Sequence, residues 1–211
     1  MDQPNHQTLA DIPPQERDPQ TRNRLLASAV HIFERKGYSA ASVREVAEMA
    51  GVTKPTLYYH FGSKEGLLIA ILQEAIREFD RTLSVAVART GTARERLLAL
   101  CEDVFTVFEL NIPIVRVAHT VFLGPIDVAP AFDLTAFERM WRESLQGIVE
   151  DGQAAGEFRA VPPIDVVYGL MGLVDSCLNR QMHRGLEPVS REALRRIISL
   201  LLDGVSREQR S

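Results

Sequence analysis

The segment that begins at Ser42 contains closely spaced signals for helix starts and ends, which restrict it to short helices. Ser42 and Glu45 have the spacing of a capping box, in which a hydroxyl and a carboxylate satisfy free backbone N–H groups at a helix N-terminus. Gly51 provides a turn, and Thr53 is placed to cap a second helix. Pro55 is tolerated there because N–H groups of the first helical turn have no intrahelical acceptor. The segment therefore predicts a helix, a glycine turn and a second helix.

Amphipathic helices are predicted on both sides of this pair. From Thr21 onward apolar residues recur at helical spacing, and Gly37 is suited to the left-handed position that follows a helix end. Gly62 ends the second helix of the pair, and Ser63 is placed to cap a long helix over residues 64–87. A small apolar core is predicted to hold the pair in place. That core consists of Val46, Ala47, Val52, Leu57 and Phe61.

Beyond Gly91 the chain is also predicted to be helical, and prolines separate the helices. No stretch alternates apolar and polar residues at the period of a β-strand, so the predicted fold class is all-α. Residues 1–18 are rich in proline and poor in apolar side chains, and we expect them to form a disordered arm. The later helices are predicted at 92–110, 113–123, 130–152, 163–184 and 190–208.

Composition excludes several classes of protein. With 211 residues, of which 45% are apolar, the chain is long enough to bury a substantial core. The two cysteines, Cys101 and Cys177, rule out a disulfide framework, and no apolar run is long enough for a spanning helix. The polar N-terminus does not resemble a signal peptide, so we expect a cytoplasmic protein without a membrane partner.

Charge is distributed unevenly along the chain, although the net charge is only −4. Residues 1–18 contain four acidic residues and one arginine. Residues 19–65 contain seven lysines and arginines against four acidic residues, and every lysine of the chain lies there. This asymmetry favours an anionic partner for one domain.

The two short helices have the form of a helix-turn-helix, whose second helix enters the major groove of DNA. Thr53, Lys54 and Thr56, at the start of that helix, are predicted to face bases. Hydroxyl, basic and amide groups nearby are suited to phosphate oxygens. Helix pairs with a glycine turn are nevertheless common, and tyrosines can simply cover the edge of a core. The residues predicted to contact phosphates are Ser42, Arg44, Tyr58, Tyr59, His60 and Lys64.

The residues from Thr53 to Glu65 (Thr-Lys-Pro-Thr-Leu-Tyr-Tyr-His-Phe-Gly-Ser-Lys-Glu) closely resemble the TetR family of bacterial transcriptional regulators, as does Gly37-Tyr38 upstream. The resemblance covers about residues 20–70. It implies an N-terminal three-helix DNA-binding domain with a helix-turn-helix, a connecting fourth helix, and an all-helical C-terminal domain for ligand binding and dimerisation.

Together with the composition of residues 1–18, this resemblance divides the chain into three predicted parts. Residues 1–18 form the arm, 19–65 the DNA-binding domain and 66–211 the ligand-binding and dimerisation domain, with 64–87 as the connecting helix. By the same analogy Pro55 lies among the residues that meet bases and nearby phosphates. Family members often have glycine at this position, so the operator sequence cannot be transferred from a relative.

Helices 163–184 and 190–208 are candidates for a dimer interface. The first is apolar nearly all round, and Gly169 and Gly172 would allow another helix to approach closely. Such helices form either the core of one chain or a two-fold four-helix interface, and the resemblance favours the interface. Its predicted residues are Val167, Leu170, Met171, Val174, Leu178, Leu194, Ile197, Ile198 and Leu201.

Apolar and aromatic residues, chiefly of helices 92–152, are predicted to line a ligand pocket together with a few polar side chains. An aromatic set at helical spacing is more often plain core, and His119 is equally compatible with a hydrogen-bonded core histidine. The apolar content favours an apolar or aromatic effector. The predicted pocket residues are Cys101, Phe105, Phe108, Arg116, His119, Phe122, Phe137, Trp141, Tyr168 and Asp175.

Metal and enzyme functions find little support in the sequence. The histidines are scattered and the two cysteines are far apart, so no metal site is predicted, and no nucleophile motif or glycine-rich phosphate loop is present. No cofactor is expected. The predicted function is that of a homodimeric repressor, released from palindromic operator DNA when a small-molecule effector binds. The alternatives are a helical protein-binding oligomer that has lost DNA binding, and an all-α enzyme.

Overall fold

The computed structural model describes residues 18–122, 132–133, 135–183 and 185–206, apart from the side chain of Phe122. These residues confirm the all-α fold class, and positions 1–17 of the predicted arm lie outside them. None of the described helices combines the length and the apolar character needed to cross a bilayer. The helices are α1 (Pro19–Lys36), α2 (Val43–Ala50), α3 (Lys54–Phe61), α4 (Lys64–Val87), α5 (Ala93–Leu110), α6 (Ile112–Phe122), α7 (Thr135–Ala154), α8 (Pro163–Met182) and α9 (Arg191–Val205).

The chain divides into two compact units, each with its own core. Unit 1 comprises Met1–Ala75 and Pro113–Phe132, and unit 2 comprises Ile76–Ile112 and Asp133–Ser211. The first part of α4 and nearly all of α6 therefore belong to the same unit as α1, α2 and α3. The sequence, in contrast, places the domain boundary at residue 65.

One apolar face of each helix in unit 1 contributes to its core. Val46 of α2, Leu57 of α3 and Leu67 of α4 are completely buried. Val117 and Val121 of α6 join the same cluster, so a helix from much later in the chain completes the packing of the N-terminal helices. Of the predicted core, Val46, Ala47 and Leu57 are buried, whereas Val52 and Phe61 are partly buried.

Hydrogen bonds at the starts of α2 and α3 confirm the predicted caps. The Oγ of Ser42 accepts from the Glu45 N–H at 3.2 Å, and the Ser42 N–H donates to the Glu45 carboxylate at 3.1 Å. The Oγ1 of Thr53 accepts from the Thr56 N–H at 3.4 Å. Gly51 adopts the left-handed conformation, with φ 66° and ψ 38°, at the end of α2. The helix–turn–helix order therefore follows from local signals.

Ser63 and Gly37 show how two further local signals are used. Ser63 caps α4 as predicted, because its Oγ accepts from the Gly66 N–H at 2.9 Å. Gly37 has a positive φ of 79°, but its ψ of 155° places it outside the predicted left-handed helical region. Its N–H donates to the Phe33 carbonyl at 2.9 Å and so ends α1.

The largest differences from the predicted helix ends in unit 2 occur in α7 and α9. Helix α7 begins at Thr135 rather than at residue 130, since the Asp133 carboxylate accepts from the Thr135 N–H at 2.9 Å and forms a turn before the helix. Helix α9 ends at Val205 rather than at residue 208. Ser206 is extended there and forms an isolated antiparallel bridge with Phe158, while its N–H still donates to the Leu202 carbonyl at 2.9 Å.

The core of unit 2 is built from α5, α7, α8 and α9 with the second part of α4. Phe79, Phe105 and Leu145 are buried at its centre. Val167 of α8 and Leu194 of α9 are completely buried in the same cluster. The most apolar faces of the two C-terminal helices therefore point into their own chain.

Glu157 holds the start of α5 from a distant part of the sequence. Its carboxylate accepts from the Ala93 N–H at 2.8 and 3.1 Å and from the Arg94 N–H at 3.4 Å. These N–H groups belong to the first helical turn, where no intrahelical acceptor exists. The negative charge is also favourable at the positive end of the helix dipole. Glu157 therefore connects the segment after α7 to the N-terminus of α5.

Replacement of Glu157 by alanine should lower the free energy of unfolding by about 1–2 kcal/mol, because it leaves part-buried N–H groups without their acceptor. Urea denaturation of the two proteins would measure the difference. Glu150→Ala is the matched control, since the Glu150 carboxylate is exposed and accepts from Gln146 on the same helix. Equal stability of both variants would contradict a capping role for Glu157.

Candidate nucleic-acid interface

Helices α2 and α3 are held together by the turn between them and by shared core residues. The Val52 N–H donates to the Ala47 carbonyl at 3.0 Å, and the Gly51 N–H donates to the Glu48 carbonyl at 3.2 Å. Leu57 anchors the inner side of α3 in the unit 1 core. With its inner side buried, α3 presents the opposite side to solvent.

The outer side of α3 carries most of the side chains that the sequence assigns to DNA. Thr53 and Lys54 are exposed at its start. Tyr58 is 50% exposed and Tyr59 is 44% exposed, although both are large aromatic residues. Tyrosine combines an apolar ring with a hydroxyl that can donate to a phosphate oxygen. Pro55 and His60 are partly exposed on the same short helix.

Thr56 requires a correction, because its side chain is completely buried. Its Oγ1 lies 2.8 Å from the Oγ1 of Thr53, so the two hydroxyls share a hydrogen bond at the start of α3. A buried hydroxyl offers no surface to a base edge. The predicted base-facing role of Thr56 is therefore replaced by a structural one at the helix N-terminus.

Ser42 and Arg44 lie exposed at the start of α2, and both already have partners within the chain. The Ser42 hydroxyl donates to the Glu45 carboxylate at 2.9 Å. The Nε of Arg44 donates to Glu48 at 2.6 Å, one helical turn along. A guanidinium has further N–H groups besides Nε, so Arg44 retains donors for a phosphate while Glu48 orients its side chain.

Glu45 keeps a negative charge at the N-terminus of α2. The hydrogen bond from Lys36 is the largest influence on the Glu45 carboxyl, followed by those from the hydroxyl and N–H of Ser42. Together they lower the pKa of Glu45 to about 2. The carboxylate therefore stays ionised at neutral pH, where it complements the dipole of α2.

Lys64 also differs from its predicted placement. It is half-buried, and its Nζ donates to the backbone carbonyls of Tyr38, Ser39 and Ala41. The ammonium lies over the Tyr38 ring, 4.5 Å from the ring centroid. These contacts direct the ammonium toward the turn between α1 and α2 instead of leaving it open to a phosphate.

Met49 is a further candidate for the nucleic-acid interface, and it was not predicted from the sequence. It is 51% exposed on α2, the helix that precedes the turn. Helical periodicity would have identified Met49 as exposed. Val46, Ala47 and Ala50 form the buried side of α2, and Met49 does not lie on that side. An exposed methionine at this position can make apolar contacts beside α3.

The predicted pocket residues of unit 2 divide into core and surface. Cys101, Phe105 and Trp141 are buried in the unit 2 core, and burial raises the pKa of the Cys101 thiol. Phe108 and Phe137 are partly buried against that core. Tyr168 is 57% exposed and Asp175 is exposed, both on α8.

An aromatic cluster within unit 2 is formed by Phe79, Phe108, Phe137 and Trp141. The ring centroid of Phe79 lies 4.3 Å from that of Phe137, 5.6 Å from Phe108 and 6.1 Å from Trp141. The rings fill this space themselves. The plain-core alternative for this aromatic set therefore describes the structure, and Phe79 is the central member that the pocket prediction omitted.

The remaining predicted pocket residues lie in unit 1. Arg116 of α6 forms a 2.6 Å ion pair with Glu34 of α1, and His119 is exposed on α6. The side chain of Phe122 lies outside the described part of the structure. The predicted set is therefore not gathered into one site inside either unit, and Arg116 instead ties α6 to α1.

Among the described residues of unit 2, two of the surface grooves lie away from the predicted pocket residues. One, of about 450 Å³, runs between α4 and α5 and is lined by residues that include Glu78, Arg81, Val85 and Thr106. The other, of about 350 Å³, is lined by α4, α5 and α7 residues that include Arg96. Both are lined by several charged side chains, whereas aromatic side chains predominate in the predicted pocket. No group of side chains with metal-site geometry occurs within the described ranges.

The predicted dimer interface also requires correction. Six of its nine residues are buried within a single chain, because the apolar faces of α8 and α9 pack against the unit 2 core. The other three are partly buried against the same core. The buried residues are Val167, Leu170, Val174, Leu178, Leu194 and Ile198. The partly buried residues are Met171, Ile197 and Leu201.

The architecture of unit 1 is that of a helix-turn-helix domain, the class of DNA-binding module in which a tight turn joins two short helices and the second helix lies in the major groove. Residues 25–71 match the family model described as bacterial regulatory proteins, tetR family. The N-terminal part of the chain is therefore similar to the DNA-binding domain of TetR-family regulators, as the resemblance in its sequence implies. The family consists of transcriptional regulators and not of enzymes, which agrees with the expectation for this chain.

Similarity to individual relatives and solved structures covers different shares of the chain. The transcriptional activator FasR of Mycolicibacterium smegmatis is 40% identical over 88 residues, which cover 42% of this chain and 40% of FasR. The probable regulator YttP of Bacillus subtilis is 28% identical over 145 residues, covering 67% of this chain and 69% of YttP. The crystal structure of the TetR family regulator PfmR from Thermus thermophilus is 27% identical, with a TM-score of 0.72 over 87% of this chain and all of PfmR.

Proposed function

We propose that the protein is a DNA-binding transcriptional regulator that places α3 in the major groove of an operator. The outer side of α3 carries this proposal: Thr53, Lys54, Tyr58 and Tyr59 are exposed together while the inner side is anchored by Leu57. An α-helix fits the major groove, and its N-terminal residues meet the bases there. Lys54 is the side chain that we assign to base reading.

Phosphate contacts are assigned to groups that flank Lys54. The hydroxyls of Tyr58 and Tyr59 are exposed further along α3, and Arg44 lies at the exposed start of α2. Hydrogen bonds to phosphates hold the register of a protein on DNA without reading its sequence. The proposal therefore separates one base-reading position from a set that supplies general affinity.

The protein is further proposed to act as a homodimer through the outer sides of α8 and α9. Tyr168 is 57% exposed on α8, and Leu200 is 73% exposed on α9. A Cβ added at Gly172 or Gly204 would meet no atom within 4 Å, so both glycines leave room for a second copy to approach. Two copies related by a two-fold axis would read half-sites about 34–36 Å apart.

Repression relieved by an apolar or aromatic effector is proposed as the mode of regulation. The aromatic cluster of Phe79, Phe108, Phe137 and Trp141 supports an effector of this chemistry, because Phe108 and Phe137 are only partly buried and would have to move for a flat apolar ligand to enter among the four rings. The effector would weaken operator binding only if it binds the DNA-free arrangement more tightly, and operator DNA would weaken effector binding by the same factor.

Substitution of Lys54 by alanine should reduce affinity for the preferred duplex by about 1–3 kcal/mol and leave binding to a scrambled duplex nearly unchanged. Tyr58→Phe should instead weaken both duplexes alike, by about 1 kcal/mol, since it removes only a hydrogen bond to phosphate. Fluorescence anisotropy with a duplex selected from a random library by the wild-type protein would measure both effects. Arg139→Ala, which removes an exposed cation from unit 2, is the control. Uniform weakening by Lys54→Ala would contradict the base-reading assignment.

A charge at Leu200 should dissociate the dimer without unfolding the chain, because the Leu200 side chain is mostly exposed in one subunit. Sedimentation equilibrium of Leu200→Asp is expected to give a monomer with a wild-type helical spectrum. Leu110→Asp is the matched control, since Leu110 is a 76% exposed leucine on α5. Leu170→Asp should unfold unit 2, because Leu170 is completely buried. A dimeric Leu200→Asp protein would exclude this part of α9 from the interface.

Ligand binding at the aromatic cluster should change the fluorescence of Trp141, which is the single tryptophan of the chain. A panel of aromatic and long-chain acyl compounds would be titrated, with the fluorescence of Trp141 and the anisotropy of bound DNA recorded in parallel. We expect compounds that change the emission of Trp141 to release DNA over the same concentration range. Phe137→Ala should weaken both responses together. A compound that tightens DNA binding would instead show that the protein is an activator or that the compound is a co-repressor.

A further inference from the structure

Lys64, the first residue of α4, uses its whole donor set inside unit 1. Its Nζ lies 2.8 Å from the Tyr38 carbonyl oxygen, 3.0 Å from that of Ala41 and 3.2 Å from that of Ser39. A lysine ammonium carries three N–H donors and no acceptor, so these carbonyls occupy all of them. The face of the Tyr38 ring lies beside the same ammonium, with the centroid 4.5 Å from Nζ.

The three carbonyls belong to the turn that leads directly into α2. Ser42, the N-cap of α2, follows Ala41 in the chain, and the turn is also closed by a 3.3 Å hydrogen bond from the Ala41 N–H to the Tyr38 carbonyl. Lys64 itself follows α3 after Gly62 and Ser63. One side chain therefore connects the segment that starts α4 with the segment that starts α2.

We propose that Lys64 is a positioning residue for DNA binding, which holds the start of α2 against the start of α4 and does not itself contact a phosphate. The inference rests on the proposed DNA interface and replaces the phosphate contact that the sequence predicts for Lys64. Its effect on DNA is transmitted through α2, whose exposed N-terminus carries Ser42 and Arg44.

The chemistry of the contact distinguishes lysine from arginine. Carbonyls that converge on a single nitrogen match the tetrahedral ammonium, whereas the planar guanidinium distributes its donors over a rigid fork. That fork is well suited to phosphate. Arginine at position 64 would therefore preserve or improve a phosphate contact, but it would not reproduce the contact with the turn.

Lysine labelling of the wild-type protein tests the placement without any substitution. The chain contains only Lys36, Lys54 and Lys64, so reductive methylation followed by mass spectrometry resolves every lysine. Lys64 should react slowly in the free protein and equally slowly with the selected duplex bound. Lys54, which is exposed, should react rapidly and become protected by the duplex. Rapid labelling of Lys64 that the duplex suppresses would overturn the proposal.

Two variants test the consequence for DNA. Lys64→Met and Lys64→Arg should each bind the selected duplex about tenfold more weakly than the wild type, since both lose charge-assisted hydrogen bonds to the turn. The slope of log affinity against log salt should stay at its wild-type value in both. Lys54→Met is the matched control. It removes a cation from the exposed side of α3, at a residue that we expect to contact DNA directly.

Other results would overturn either this proposal or the proposed function. A Lys64→Arg variant that binds like the wild type, together with a Lys64→Met slope shallower by about 0.9 per subunit, would assign Lys64 to a phosphate and overturn the proposal. Wild-type affinity in both variants, with only a lower melting temperature, would reduce Lys64 to a structural role and also overturn it. A wild-type protein that cannot distinguish the selected from the scrambled duplex would instead overturn the proposed function.

Discussion

Burial of the inner side of α3 is the constraint on which the DNA-facing surface depends. Leu57 is completely buried in the core that α1, α2, α4 and α6 share, and the full burial of a leucine contributes about 1.5–3 kcal/mol. Because α3 has only eight residues, it would be marginal as an isolated helix. Packing through Leu57 therefore supports the helix and also decides that Tyr58 and Tyr59 face solvent.

Polar contacts then set the helix starts, and they act over two ranges of sequence separation. Ser42 and Glu45 satisfy each other's backbone groups within one turn, so their role follows from spacing alone. Lys64 and Glu157 perform related tasks across the fold: one occupies carbonyls before α2, and the other occupies N–H groups at the start of α5. Both link segments that are distant in the sequence, so the start of a helix depends on a side chain from another part of the fold.

The apolar pattern of α8 and α9 does not by itself decide whether these helices form a core or a subunit interface. Their periodicity identifies two amphipathic helices, but the same apolar stripe is compatible with a core and with a subunit interface. In the folded chain Val167 and Leu194 are completely buried, so the stripe is used within one subunit. Leu200 and Gly172 lie on the other side, which the apolar stripe itself does not identify. The aromatic pocket prediction had the same ambiguity, and Phe79 fills the space between the predicted rings.

By itself, the sequence determined the all-α class, the start of α2, the turn at Gly51 and the exposed tyrosines of α3. These features depend on caps, breakers and helical spacing, whose physical range is a few residues. Only the tertiary structure decided that Thr56 is buried, that Lys64 binds a turn, that Arg116 pairs with Glu34, and that α6 joins the N-terminal unit. The environment of each of these side chains is created by helices brought together through burial of apolar surface, and no local pattern records which partner a polar group will meet.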